Sequence, residues 1–104
     1  MLWIITGIII SYLIGSIPTA FIFGRLLQGI DIRKFGSGNV GATNALRVLG
    51  KRVGIAVLIL DILKGVIPIL LVQEIASRVN ISPDIFRILS GVSCICGHNW
   101  TIFL

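Results

Sequence analysis

Charge is the first scarcity. Only 12% of the 104 residues are Asp, Glu, Lys or Arg, against about 25% in a soluble domain. So few charges could not coat a globule of this size, which excludes an ordinary soluble domain. Acidic residues number four against nine basic ones, a formal net charge of +5. No basic face is interleaved with stacking aromatics, so the excess does not point to a nucleic-acid partner. Beside apolar segments it reads as orientation in a bilayer and attraction to anionic headgroups. Cysteine is limited to Cys94 and Cys96, two apart in an apolar run. Residues two apart on a helix do not face each other, and no second Cys or His pair completes a metal set. They read as small packing residues.

Apolar residues fill the space that charge leaves. They make up 56% of the chain, and the mean hydropathy is +1.05. Residues 1–24 carry no charged side chain, and about 20 apolar residues span the hydrocarbon core. The run lacks a basic leader and a small-residue cleavage site, so it does not read as a secretory signal. A second run, Val53–Val72, is interrupted only by Asp61 and Lys64. A third, Ile88–Leu104, has His98 as its one titratable side chain. The expectation is an all-α, polytopic transmembrane helix bundle, one domain over 1–104. Its segments fall near 2–28, 46–75 and 85–104.

Between the first two segments lie Arg25, Arg33, Lys34, Arg47, Lys51 and Arg52, against Asp31 alone. Lys and Arg concentrate in cytoplasmic loops. Loop 29–52 is therefore expected inside and the N-terminus outside, with His98 and Asn99 returning to the loop's side. Along the first segment Gly7, Ser11, Gly15 and Thr19 recur every four residues, a spacing that lets helices approach closely in lipid. Pro18 is expected to kink that helix.

The loop itself carries the chemistry. Gly36–Asn44 reads G-S-G-N-V-G-A-T-N. Its opening fits the dinucleotide pattern G-x-G-x-x-G, but the flanks are membrane segments and no βαβ unit is present. The physics of the pattern survives: glycines admit a ligand close to the backbone, and consecutive amides can form an anion nest. Thr43 or Asn44 can cap a helix beginning near Ala45, whose free amides would face an anion. Ser37, Asn39, Thr43 and Asn44 add directional polar groups, and Arg47 a fork suited to phosphate. A plain flexible turn with an incidental basic cluster is the competing reading.

Two further features are ambiguous on residues alone. Asp61 and Lys64 share a helix face, and charges inside a membrane segment are costly. They read either as a structural pair fixing the helix or as a device tuning a phosphate site. His98, in G-H-N-W, suits a proton carrier, a phosphate donor or a polar helix end. The H-x-x-x-x-D arrangement of soluble acyltransferases is absent, since Phe103 holds the acid's place.

Taken together, G-S-I-P at Gly15–Pro18, D-I-R-K-F-G-S-G-N-V-G-A-T-N at Asp31–Asn44, D-I-L-K-G at Asp61–Gly65 and G-H-N-W-T-I-F-L at Gly97–Leu104 resemble the bacterial membrane acyl-phosphate:glycerol-3-phosphate acyltransferases, the PlsY-type family. The resemblance implies transfer of an acyl group from acyl-phosphate to glycerol 3-phosphate, giving lysophosphatidic acid and phosphate in phospholipid synthesis. It implies no metal or cofactor, and residence in the bacterial inner membrane among membrane lipids. It places the essential serine and arginine on Ser37 and Arg47. Phosphate contacts fall on Gly36, Gly38, Asn39, Gly41, Thr43 and Asn44, with Lys64, His98 and Asn99 in support. Such proteins run to roughly twice this length, so the chain is expected to be an N-terminal part, inactive alone. A membrane transporter, with Asp61 and Lys64 lining a polar path, and a non-enzymatic membrane interaction protein are the alternatives.

Overall fold

A computed structural model describes residues 1–104. It is all-α: α1 (Leu2–Gly15), α2 (Thr19–Gln28), a 3₁₀ turn (Ile32–Lys34), α3 (Ala42–Leu49), α4 (Lys51–Val79) and α5 (Pro83–Asn99). Two stretches, Leu2–Gln28 and Lys51–Val79, are long and apolar enough to cross a membrane by length and composition. The 17 residues of α5 reach about 25 Å at 1.5 Å per residue, at the lower end of what a crossing takes. The segment expected near 46–75 divides instead into α3 and α4, because α3 ends at Gly50.

The chain forms two compact units, Pro18–Ile62 and Met1–Ile17 with Leu63–Leu104. In the first, α2, the 3₁₀ turn, α3 and residues 51–62 of α4 share a core of Ala20, Ile32, Ala45, Leu49 and Val57. Ile32, fully buried, pins the short turn and so fixes the start of the glycine-rich loop. Helices α3 and α4 approach closely: a Cβ on Gly54 would stand 2.6 Å from Leu46 Cα.

In the second unit α1 packs along α5. Gly7 lies under the Phe86 ring, Gly15 against the backbone of Cys94, and Gly97 against the backbone of Tyr12 and Ser16. Gly7, Ser11 and Gly15 are all buried. The small-residue stripe is therefore a packing face, and Cys94 is part of what it packs on. Val72, Ala76 and Phe86 form this unit's apolar cluster. Large apolar side chains such as Ile59, Ile62, Ile67 and Leu70 on α4 stay exposed, as a lipid-facing surface requires and a soluble one rarely tolerates.

Pro18 does more than kink the first segment: helix hydrogen bonding stops at Gly15 and resumes at Thr19. The last carbonyls of any helix lack intrahelical partners, and lipid offers none. Side chains from elsewhere in the unit supply them. Lys64 Nζ donates to the Ile17 carbonyl at 2.8 Å, and Thr101 Oγ1 donates to the Ser16 carbonyl. The buried Lys64 thus has a structural task at the break.

Candidate anion-binding site

The loop begins at a charged clamp. Asp31 caps the 3₁₀ turn by accepting from the Arg33 amide at 3.0 Å. The same carboxylate takes the Arg33 guanidinium in a two-pronged pair, Nε to Oδ1 at 2.9 Å and Nη2 to Oδ2 at 2.8 Å. The guanidinium also stacks over the Phe21 ring, 5.1 Å from its centre. Hydrogen bonding from Arg33 holds the Asp31 carboxyl down at about 2, against an ordinary 3.8. A carboxyl depressed by folding contributes stability above its ordinary value and loses it as pH falls through the folded one. Nuclear magnetic resonance titration should place the Asp31 midpoint near 2. In Arg33→Gln it should return toward the ordinary carboxylate range. An unchanged midpoint would remove the clamp from the account.

Beyond the clamp the backbone turns twice through the left-handed region, at Gly36 (φ 55°) and Gly38 (φ 77°). Only glycine adopts that region without strain. Space is closed there as well: a Cβ on Gly36 would meet Asn44 Oδ1, and one on Gly38 would stand 3.0 Å from the Arg33 carbonyl.

The amides of this segment are spent inside the loop. Ser37 N–H donates to Asn44 Oδ1 at 3.0 Å, Gly38 N–H to the Phe35 carbonyl at 2.9 Å, and Asn39 N–H to Ser37 Oγ at 3.3 Å. These three donors bond within the loop and do not contribute to an open anion nest. The helix start is corrected. It falls at Ala42 with Gly41 as N-cap, not near Ala45 behind Thr43 or Asn44. The first helical bond runs from Ala45 N–H to the Gly41 carbonyl at 2.9 Å. The amides of Ala42, Thr43 and Asn44 come before it, and Gly41 has no side chain to cap them. They lie at the positive end of the helix dipole and have no intrahelical partner.

Exposure then sorts the polar side chains. Ser37, Asn39, Thr43 and Arg47 are exposed, whereas Asn44 is buried. Thr43 and Arg47 stand four apart and share a face of α3. Side chains on a helix lean toward its N-terminus, so Arg47 leans toward the open amides. Asn44 was expected to contact phosphate. It instead donates through Nδ2 to the Phe35 carbonyl at 3.1 Å and to the Asn39 carbonyl at 2.8 Å. With Oδ1 taken by Ser37, its hydrogen-bonding capacity is turned onto the loop. Burial of one asparagine among exposed polar neighbours leaves no trace in the sequence pattern.

Ser37, Asn39, Gly41, Thr43 and Arg47 all belong to the unit Pro18–Ile62. Lys64, His98 and Asn99 belong to the other unit, where Lys64 serves the helix break and His98 and Asn99 are exposed at the end of α5. Thr101, which serves the same break, was not singled out by the sequence.

A family model described as glycerol-3-phosphate acyltransferase matches residues 5–104. A glycerol-3-phosphate acyltransferase of Chlorobium phaeobacteroides (strain BS1) is 50% identical over 109 residues, covering 99% of this chain and 46% of the relative. Glycerol-3-phosphate acyltransferase 2 of Moorella thermoacetica is 50% identical over 103 residues, covering 99% of this chain and 50% of the relative. The crystal structure of PlsY (YgiH), an integral membrane glycerol 3-phosphate acyltransferase in its glycerol 3-phosphate form, matches with a TM-score of 0.81 at 38% identity. It covers 97% of this chain and 48% of that one. The chain spans about half the length of the curated relatives it matches.

Proposed function

Since the chain belongs to the glycerol-3-phosphate acyltransferase family, we propose that it supplies the phosphate-gripping part of an enzyme that acylates glycerol 3-phosphate with acyl-phosphate, releasing lysophosphatidic acid and inorganic phosphate. One observation carries this reading: α3 begins behind a glycine cap with no side-chain cap bond, and Ser37, Thr43 and Arg47, before and on that helix, are exposed. Both substrates are phosphates, so the task is to hold two anions close and aligned. Amides and a guanidinium fork do this without a covalent intermediate.

Acyl-phosphate is already an activated acyl donor. Its carbonyl carbon is attacked by the glycerol 3-phosphate hydroxyl, the carbon–oxygen bond to phosphate breaks, and the departing phosphate takes the hydroxyl proton. Ser37 and Arg47 bind and orient on this account, and neither becomes acylated. The basic residues flanking the loop support a cytoplasmic placement by the positive-inside rule. That orientation puts the N-terminus outside and makes α5 a third crossing of the bacterial inner membrane, returning His98 and Asn99 to the cytoplasmic side.

Full-length protein given acyl-phosphate and labelled glycerol 3-phosphate should form labelled lysophosphatidic acid with stoichiometric phosphate. Glycerol 3-phosphate left untouched by a folded, membrane-inserted preparation would overturn the reading.

A further inference from the structure

We infer that the Asn44 side chain is a positioning group: it holds the loop so that Ser37 faces the anion, and the carboxamide touches no substrate itself. The inference rests on the proposed function and departs from the expected phosphate contact at this position. Its ground is the bonding of one side chain. Asn44 is 1% exposed. It accepts from Ser37 N–H at 3.0 Å and donates to the carbonyls of Phe35 at 3.1 Å and Asn39 at 2.8 Å. A carboxamide offers two N–H donors, and here both are taken.

The three partners straddle the two left-handed glycines. Phe35 precedes Gly36, Ser37 lies between Gly36 and Gly38, and Asn39 follows. A segment with two left-handed residues has many alternatives of similar energy when nothing holds it. Tying its start, middle and end to one point on α3 selects a single one. That point is the third residue of α3, whose backbone amide is one of those without an intrahelical partner. The brace therefore fixes the serine hydroxyl and the helix amides in one frame. Gly36 is shaped to the brace, since a Cβ there would strike Asn44 Oδ1.

Two variants test this in the full-length protein. Asn44→Ala removes all three bonds. Asn44→Asp keeps size and the acceptor for Ser37 N–H but sets a carboxylate against two carbonyls. Amide hydrogen exchange at Ser37 should lose its protection in Asn44→Ala, with α4 and α5 amides unaltered. The KM for glycerol 3-phosphate should rise roughly tenfold or more in both variants, with kcat changed less. Partial unfolding gives the opposite split, a lower Vmax at an unchanged KM.

Retained protection at Ser37 in Asn44→Ala would overturn the brace. Lost protection with wild-type KM would overturn its role in positioning. If Asn44→Ala does not fold, Asn44→Asp decides alone, and a wild-type KM there overturns the inference. A wild type that makes no lysophosphatidic acid refutes the functional reading instead, and the exchange result still decides whether the brace exists.

Discussion

Arg47→Ala is expected to lower kcat/KM for acyl transfer by roughly 10²–10³-fold, the usual loss when one preorganised donor to a developing negative charge is removed. Ser37→Ala should fall in the same range. The reasoning is electrostatic. Arg47 stands one helical turn beyond Thr43 and leans toward the open end of α3, so its fork and the helix dipole act on the same anion. Arg47→Lys should recover only part of the loss, because an ammonium keeps the charge but not the paired geometry. Arg33→Ala is the matching control. Its guanidinium is already engaged by Asp31 and Phe21, so its removal should cost far less than that of Arg47. Steady-state kinetics on the four variants checks the order. Equal losses for Arg33→Ala and Arg47→Ala would reduce the effect to net positive charge and remove the case for a built site.

Particular residues show what the sequence could and could not reveal. The loop was legible because its composition is extreme: glycine and polar residues crowd Gly36–Asn44 between apolar runs. The stripe Gly7, Ser11, Gly15 was legible because helical periodicity predicts shared faces. The division of labour within the loop was not legible. Ser37 and Asn44 are both small, polar and loop-compatible, and only tertiary burial separates the exposed one from the buried one. The start of α3 was missed for a similar reason. Thr43 and Asn44 are favoured N-cap types, yet Gly41 takes the cap and Asn44 serves the preceding loop. The gap between α3 and α4 lies at Gly50, followed at once by Lys51 and Arg52. A glycine beside basic residues was a stop signal that the continuous apolar pattern around it obscured. Pro18 announced a disturbance, but the side chains that satisfy the broken helix, Lys64 and Thr101, lie 47 and 85 residues from the carbonyls they serve. No local pattern encodes such distances.

The close approach of α1 and α5 gives the second large effect. Gly97→Val is expected to prevent the unit Met1–Ile17 with Leu63–Leu104 from packing, seen as loss of the folded, protease-resistant protein from membranes. In lipid, helix association depends on close van der Waals contact, since apolar surface gains nothing by leaving lipid for protein. Gly97 faces Tyr12 and Ser16, and an added Cβ would stand 2.9 Å from Ser16 N. The obstacle is backbone, which cannot swing aside as a flexible side chain can. Overpacking in a tight core costs about 1–3 kcal/mol when neighbours adjust; here the helices must separate, and the contacts along their length weaken together. Gly65→Ala provides the contrast within the same unit. No atom lies within 4 Å of a Cβ built there, and alanine is favoured over glycine inside a helix by about 0.5–1 kcal/mol. That variant should accumulate as well as wild type or better. If Gly97→Val and Gly65→Ala proved equally stable, backbone contact would not be what holds α1 to α5, and the small-residue face would need another purpose.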